Sequence, residues 1–173
     1  GWVVGHSYIV YGPLLHGCTT VLFEGKPIRT PDAGTFWRVL ADHKVNTFFT
    51  APTAIRSLMG FGEEYFKDKN LSSLKTLGSV GEPINEEAWH WYNDHVGGKR
   101  CPLVDTWWQT ETGGIMISPI PFVTPTKPTY ATLPLPGIQP VLMDELRNEI
   151  EGNQVTGSLC ITFPWPSMAR TIW

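Results

Sequence analysis

The sequence is poor in cysteine and in clustered positive charge. Its three cysteines, Cys18, Cys101 and Cys160, lie far apart and outside any Cys-x-x-Cys spacing, which argues against a disulfide scaffold and a cysteine-based metal site. Reduced thiols are typical of cytoplasmic proteins, and we expect a cytoplasmic location. With 13 Lys plus Arg against 16 Asp plus Glu, the net charge is −3. Without a basic cluster we expect no nucleic-acid partner.

Long apolar runs and the common catalytic signatures are also missing. No stretch reaches the length of a membrane span and no basic-then-apolar leader precedes a cleavage site, so we expect no membrane partner. The sequence contains no Walker loop and no dinucleotide glycine fingerprint. It also lacks a Gly-x-Ser-x-Gly elbow, which argues against a serine hydrolase. His90 and His95 are five positions apart, a spacing that does not suit a metalloprotease pair, and they are predicted to be surface residues.

The chain has 173 residues, 42% of them hydrophobic, and strand and helix patterns alternate along it. Apolar or β-branched stretches predict strands at residues 19–23, 46–50, 74–80 and 101–104. Helical patterns lie at about residues 7–17, 35–45, 52–59 and 86–95. Ser7 is expected to cap the first helix and Pro13 to bend or shorten it. The alternation predicts an α/β fold, a parallel sheet with flanking helices.

The pattern changes after residue 117. Seven prolines between residues 119 and 140 predict an extended connector, and residues 141–143 and 157–163, with a turn at 144–148, have the pattern of antiparallel strands. We predict an α/β subdomain over residues 1–127 and the start of a small antiparallel β-subdomain over residues 128–173. Because the chain begins without an initiator Met and its last strand looks unfinished, we expect a piece of a longer protein.

The stretch most typical of a functional site runs from residue 104 to 114, Val-Asp-Thr-Trp-Trp-Gln-Thr-Glu-Thr-Gly-Gly. It turns abruptly from apolar to polar at the predicted end of a strand, which is where parallel sheets collect ligands. Asp105, Gln109, Thr110 and Glu111 supply polar groups, and two adjacent tryptophans supply an apolar wall. The same pattern supports equally well a polar loop whose tryptophans plug the end of the sheet.

A second polar loop, Gly81-Glu82-Pro83, follows the preceding strand. It is expected at the same edge of the sheet, so that the two loops form a crevice. There Glu82 is placed to accept from an amine, Pro83 to cover a flat ring, and Glu111 to coordinate a hard cation such as Mg²⁺ through oxygen. Taken alone, Gly81-Glu82-Pro83 is better explained as an ordinary strand-to-helix turn with a solvated Glu82.

Four segments carry a resemblance to a known family: Gly1-Trp-Val-Val-Gly-His-Ser-Tyr8, Thr50-Ala-Pro-Thr-Ala-Ile-Arg56, Gly78-Ser-Val-Gly-Glu-Pro83 and Asp105-Thr-Trp-Trp-Gln-Thr-Glu-Thr-Gly-Gly114. They resemble the acetyl-CoA synthetases (acetate–CoA ligases) of the adenylate-forming, AMP-binding acyl-CoA synthetase superfamily. The resemblance runs along nearly the whole chain and implies the central part of a large N-terminal domain. It also implies a two-step reaction, in which acetate and ATP form acetyl-adenylate and the acetyl group then passes to CoA.

The resemblance implies roles for individual residues. Adenine and AMP contacts are assigned to Gly81, Glu82, Pro83, Asp105, Thr106, Trp107, Trp108, Gln109 and Thr110. Catalytic contacts are assigned to Thr110 and Glu111, Mg²⁺ binding to Glu111, and the acyl pocket to Val3, Val80 and Trp108. The implied small molecules are acetate, ATP or AMP, Mg²⁺ and CoA. The family's phosphate loop, ribose-binding Asp and catalytic Lys fall outside residues 1–173, so we expect the isolated chain to be inactive.

Two departures leave the acyl preference and the CoA contacts open. Val4 and Ile28 stand where acetyl-CoA synthetases commonly carry Thr and Asn, and the opening residues are closer to propionyl-type enzymes. A propionate-preferring short-chain acyl-CoA synthetase is therefore one alternative. A second, from a different class, is a non-catalytic domain that binds carbohydrate or protein through its eight tryptophans. The sequence does not indicate an oligomeric state.

Overall fold

The computed structural model describes residues 3–171 of the chain. Three parallel strands form its central sheet: β1 (Thr47–Thr50), β2 (Thr76–Ser79) and β3 (Leu103–Asp105), in the order β1-β2-β3. Thr50 pairs with Ser79, and Ser79 pairs with Asp105. The carboxyl ends of all three strands therefore finish at one edge, and the predicted parallel sheet with flanking helices is confirmed.

The first helical segment differs from its prediction. A π-helix (Gly5–Tyr11) runs directly into α1 (Gly12–Leu15), and the backbone is already helical at Val4. Ser7 consequently lies inside the segment, and its prediction as a cap is wrong. Pro13 lies in the first turn of α1 and does not end the helical segment, which continues to Leu15.

The remaining helices lie where their patterns predict them. α2 (Thr35–Asp42) precedes β1, α3 (Pro52–Met59) follows it, and α4 (Glu86–Trp91) continues as a π-helical turn (Tyr92–Val96) before β3. Pro52 occupies the first turn of α3 after an extended Ala51, which is the position that proline favours. Glu86 and Glu87 lie in the first turn of α4, where carboxylates complement the helix dipole.

Residues 19–23 do not form the predicted strand. They are irregular, and Val21, Leu22 and Phe23 are exposed. A β-strand requires a neighbour that completes its backbone hydrogen bonds, and none of the described strands pairs with this segment. The β-branched, apolar composition predicted a strand but could not supply its partner.

The hydrophobic core lies between the sheet and the helices and is rich in aromatic side chains. Trp37 of α2, Leu77 of β2 and Tyr92 are each 1% exposed or less. Tyr92 Oη donates to Phe48 O at 2.9 Å, so its buried hydroxyl is paired and does not destabilise the core. All buried hydrophobic residues that the structure describes lie between residues 33 and 116.

A small antiparallel sheet follows, made of β4 (Pro140–Met143) and β5 (Ser158–Ile161), with Val141 opposite Cys160. This confirms the antiparallel region, whereas the subdomain boundary near residue 127 stays a prediction. The turn at 144–148 is closed by the Asp144 carboxylate, which accepts from Asn148 N at 2.8 Å. Across residues 3–171, no helix combines the length and apolar composition that crossing a bilayer requires.

Candidate functional site

The two polar loops meet at the carboxyl edge of the parallel sheet. β2 and β3 are adjacent, with Ser79 opposite Asp105. Just beyond them, Thr106 donates twice to Ser79 O, from its backbone N at 3.1 Å and from its Oγ1 at 2.8 Å. These hydrogen bonds extend the strand pairing by one residue. They hold the start of the 105–114 loop beside Gly81-Glu82-Pro83.

Glu82 is not simply solvated, because the first turn of α3 binds its carboxylate. Oε1 accepts from Thr53 N at 2.7 Å and from the Thr53 hydroxyl, and Arg56 Nη2 lies 3.0 Å and 3.1 Å from the two carboxylate oxygens. The Thr53 hydroxyl, followed by the Arg56 guanidinium, lowers the pKa of Glu82. An amine would have to compete with these donors. Gly81 and Pro83, on either side, are exposed.

Asp105 is the buried carboxylate of the site, only 6% exposed. Burial raises its pKa to about 6, against the opposing effects of the Ser79 hydroxyl and the Thr106 backbone N–H. The carboxyl is therefore protonated below about pH 6 and ionised above it. Asp105 is thus a buried, titratable group at the carboxyl end of β3.

Beyond Thr106 the loop folds back on itself. Trp107 N donates to Ile117 O at 2.8 Å, and a 3-10 turn covers Thr110–Thr112. Thr112 is buried, and its hydroxyl accepts from Gln109 N at 2.9 Å. The turn leaves three polar side chains exposed at the sheet edge: Gln109, Thr110 and Glu111.

Trp108 is held by Tyr8 of the N-terminal π-helix, to which sequence analysis assigned no role. The two rings meet edge to face, with centroids 4.9 Å apart, and the Tyr8 hydroxyl accepts from Ile115 N at 2.8 Å. One side chain thus contacts both the indole and the returning loop. Burial raises the pKa of Tyr8, so the phenol stays protonated near neutrality. Apolar spacing marks Tyr8 as a packed residue, but nothing in the sequence identifies Ile115 as its partner.

The residues predicted to line an acyl pocket lie on three different segments. Val80 is buried directly after β2, Trp108 is partly buried in the loop, and Val3 is partly buried at the start of the helical segment that carries Tyr8. Tyr8 brings that segment against Trp108. Their role as a pocket stays a prediction.

Gly113-Gly114 is approached by the chain itself rather than left open for a ligand. Trp165 Nε1 and Ser167 Oγ both donate to Thr112 O, each at 2.8 Å. A Cβ at Gly113 would lie 2.3 Å from Ser167 O, and the φ of Gly113 is +72°, in the region that favours glycine. Sequence reasoning missed this brace because its partners are 53 and 55 positions apart. The glycine pair was its only signal.

Glu111 is a single exposed carboxylate. Within residues 3–171, no group of three His, Cys, Asp or Glu side chains is placed to hold a metal ion. One carboxylate fits Mg²⁺, which is commonly bound through one or two carboxylates together with substrate phosphates. Among the described residues, Glu111 is therefore exposed to solvent at the carboxyl edge of the sheet.

Comparison with known proteins identifies the family. The model of the family described as AMP-binding enzyme matches residues 1–173. The chain belongs to the AMP-binding enzyme family. This AMP-binding chain is 59% identical to the acetyl-coenzyme A synthetases of Wolinella succinogenes and of Allorhizobium ampelinum, and 60% identical to that of Rhizobium rhizogenes. Each comparison covers 100% of the chain and 26% of the relative, so the chain spans about a quarter of the length of these relatives.

A solved structure shares the fold of this AMP-binding chain. The crystal structure of Brucella canis acyl-CoA synthetase matches it with a TM-score of 0.77 at 30% identity, over 93% of this chain and 28% of that one. The resemblance inferred from the four sequence segments and the expected fold class are both confirmed. The roles assigned to single residues stay predictions.

Proposed function

We propose that this chain is part of an AMP-forming acetate–CoA ligase. Acetate attacks the α-phosphorus of ATP to form acetyl-adenylate and pyrophosphate, and the CoA thiolate then displaces AMP to give acetyl-CoA. The observation that carries the proposal is the meeting of residues 81–83 and 105–110 at one edge of a parallel sheet, the typical place for a nucleotide crevice. Identity of 59–60% to proteins named acetyl-coenzyme A synthetase supports the choice of acid.

The nucleotide is assigned to the two loops. Gly81 and Pro83 are exposed, so the pyrrolidine ring of Pro83 is available to cover the flat adenine ring and Gly81 permits close approach of the backbone. Residues 105–110 form the facing wall, in which Asp105 and Thr106 are buried and hold the loop in place. The exposed amide of Gln109 and hydroxyl of Thr110 supply hydrogen bonds to the nucleotide.

Glu111 is assigned to Mg²⁺. When bound, the ion neutralises charge on the transferring phosphoryl group. The chain itself contributes a carboxylate on a 3-10 turn that is braced from two sides, by Gln109 N on Thr112 Oγ1 and by Trp165 Nε1 on Thr112 O. A braced turn keeps Glu111 and the Thr110 hydroxyl at the reacting phosphate, and such preorganised groups stabilise developing charge.

The acyl group is assigned to Val3, Val80 and Trp108. Tyr8 packs against the indole, so the indole is held at the floor of the pocket and limits the length of the acid. An added methylene changes binding by only about 1–3 kcal/mol, which leaves propionate as a weaker substrate. The propionate-preferring alternative rests on the opening residues, which are closer to propionyl-type enzymes. We also propose that the whole protein uses CoA, acts on small molecules and is located in the cytoplasm.

The non-catalytic alternative depends on exposed tryptophans. Trp2 and Trp173 lie outside the described residues, and none of the other six tryptophans is exposed. No observation therefore favours a carbohydrate- or protein-binding role over nucleotide binding.

The test uses the full-length protein that contains this chain. With acetate, ATP and CoA it should release AMP at a rate that depends on acetate, whereas the 173-residue chain alone should release none. Glu111→Gln should lower kcat by about 100-fold, and the matched exposed control Glu145→Gln should leave it unchanged. Absence of acetate-dependent AMP would contradict the ligase assignment. A kcat/KM higher for propionate than for acetate would select the propionate alternative.

A further inference from the structure

The Glu82 carboxylate is bound by two residues to which neither the sequence analysis nor the proposed reaction gives a role. Thr53 donates to Oε1 from its backbone N and its hydroxyl, and Arg56 reaches both oxygens from Nη2. Both lie in α3, in the Ala-Pro-Thr-Ala-Ile-Arg run that follows β1. A helix on one side of the sheet edge therefore binds a loop that follows the neighbouring strand.

This contact anchors a loop whose other residues have little support. Gly81 has a φ of +96° with open space where its Cβ would be, and Gly81 and Pro83 are both exposed. The Glu82 side chain, between them, is what ties the loop to the helix. The orientation of the Gly81 and Pro83 backbone thus depends on where α3 holds the carboxylate.

We propose that Thr53 and Arg56 are positioning residues, which orient the Gly81-Glu82-Pro83 loop for the nucleotide by holding Glu82. They act through the Glu82 carboxylate and do not themselves contact substrate. The inference rests on the proposed function, because it assumes that this loop receives the adenylate. According to this inference, Glu82 anchors the loop, and the exposed residues Gly81 and Pro83 make the contacts with adenine.

If Arg56 only stabilised the fold, its removal would lower the thermal midpoint and would have no separate effect on the use of ATP. The Arg56 and Glu82 side chains are 40% and 37% exposed, and ion pairs with that exposure add little to folding stability. The Arg38–Asp32 pair is a matched control. Arg38 Nη2 of α2 lies 2.9 Å from Asp32 Oδ1, the two side chains are 36% and 44% exposed, and neither residue belongs to the candidate site. Removal of either pair should leave the thermal midpoint nearly unchanged, whereas only removal of Arg56 should affect nucleotide use.

The experiment compares Arg56→Met, Arg56→Lys, Thr53→Val and Arg38→Met in the full-length protein. Arg56→Met should raise KM for ATP about tenfold while KM for acetate changes less than about twofold. Arg56→Lys, which keeps the charge but loses the planar fork, should be intermediate. Thr53→Val, which removes the hydroxyl but keeps the backbone N–H that donates to Glu82, should raise KM for ATP less than Arg56→Met does, and Arg38→Met should match the wild type. The double variant Arg56→Met with Glu82→Gln should be no worse than the poorer single variant, because both changes break one contact.

Several outcomes would overturn the inference. These are an unchanged KM for ATP in Arg56→Met, an equal effect of Arg38→Met, or effects of Arg56→Met and Glu82→Gln that multiply. If the wild type releases no acetate-dependent AMP, the proposed function fails, and the inference is then decided by ATP binding in equilibrium dialysis. Weaker ATP binding by Arg56→Met than by Arg38→Met would support it, and equal or absent binding would overturn it. If Arg56→Met does not fold, Arg56→Lys with the same measurements replaces it.

Discussion

The two sheets of this protein differ in how much side-chain surface they bury. Around the parallel sheet, Trp37, Leu77 and Tyr92 are almost inaccessible to solvent, whereas no side chain within residues 128–171 is buried. The first region is stabilised by its own apolar core. A two-stranded sheet without such a core is marginal by itself, so the second region depends on contacts such as those of Trp165 and Ser167 with the 112–114 loop. The same contacts hold the 112–114 loop of the candidate site in place.

The largest difference between the regions is expected from one substitution made in both. Leu77 is 0% exposed in β2 and Leu159 is 39% exposed in β5. Leu77→Ala should lower the free energy of unfolding by about 2–5 kcal/mol, because it leaves a cavity, and Leu159→Ala by less than about 1 kcal/mol. Urea unfolding of the 173-residue chain, followed by circular dichroism, measures both. Equal losses would show that the antiparallel region has a core after all.

The junction between the regions is tested at a glycine. Gly113→Ala should cost about 2–3 kcal/mol, because its Cβ would meet Ser167 O in addition to adopting a positive φ. Gly137→Ala is the control, since Gly137 has a φ of +90° and open space around its Cβ position, and it should cost about 1 kcal/mol. The difference in urea midpoint isolates the contact with Ser167. If the two variants unfold together, that contact does not brace the loop.

Two aspartates, Asp105 beside the parallel sheet and Asp144 beside the antiparallel one, should contribute to the pH dependence of stability with opposite signs. The folded pKa of Asp105 is raised from 3.8 to about 6, so the folded state binds its proton more tightly and stability falls as pH rises from about 4 to about 6. A shift from 3.8 to about 6 corresponds to a fall of at most about 3 kcal/mol, which should be absent in Asp105→Asn. Urea midpoints of the wild type and Asp105→Asn across this window test it, and a difference between the two that does not change with pH would contradict the burial of Asp105.

Asp144 provides the opposite case in the antiparallel region. Hydrogen bonds from Asn148 lower its pKa, so its contribution is present above the ordinary value of 3.8 and is lost as pH falls below it. Asp144→Asn should therefore differ from the wild type at neutral pH and converge with it in acid. Urea midpoints of the wild type and Asp144→Asn, measured from neutral pH to below pH 3.8, test this prediction.

The smallest effect is expected at the brace itself. Trp165→Phe removes the N–H that reaches Thr112 O, but Ser167 Oγ still donates to the same oxygen, so the loss should be about 0.5–1 kcal/mol. Adding Ser167→Ala leaves that carbonyl without either donor, and the double variant should lose more than the sum of the single variants. Strict additivity in urea unfolding would indicate that the two donors act independently.

Local patterns predicted much of the α/β region. The turn from β2 into α4 was predicted from the sequence, because proline, glutamate and apolar spacing each influence the backbone within a few residues. The meeting of the loops at residues 81–83 and 105–110 followed from the rule that parallel strands end together. The segment at 19–23 shows where this fails, because composition alone does not provide a neighbouring strand. Ser7 was misplaced for a similar reason, since a possible cap does not determine where the preceding backbone becomes helical.

The candidate site divides in the same way. Short sequence motifs identified the family and the residues of the site, among them Glu82, Asp105, Trp108 and Glu111. The spacing within such motifs is a local property of the chain. The contacts of those residues were not readable: Arg56 reaches Glu82 across 26 positions, Tyr8 reaches Ile115 across 107, and Ser167 reaches Thr112 across 55. Local propensity and periodicity act over one or two turns, so the sequence by itself determined most of the helices and strands, the family and the identity of the polar loops. Which side chain anchors which loop was decided only by tertiary structure, because it depends on how separate elements pack.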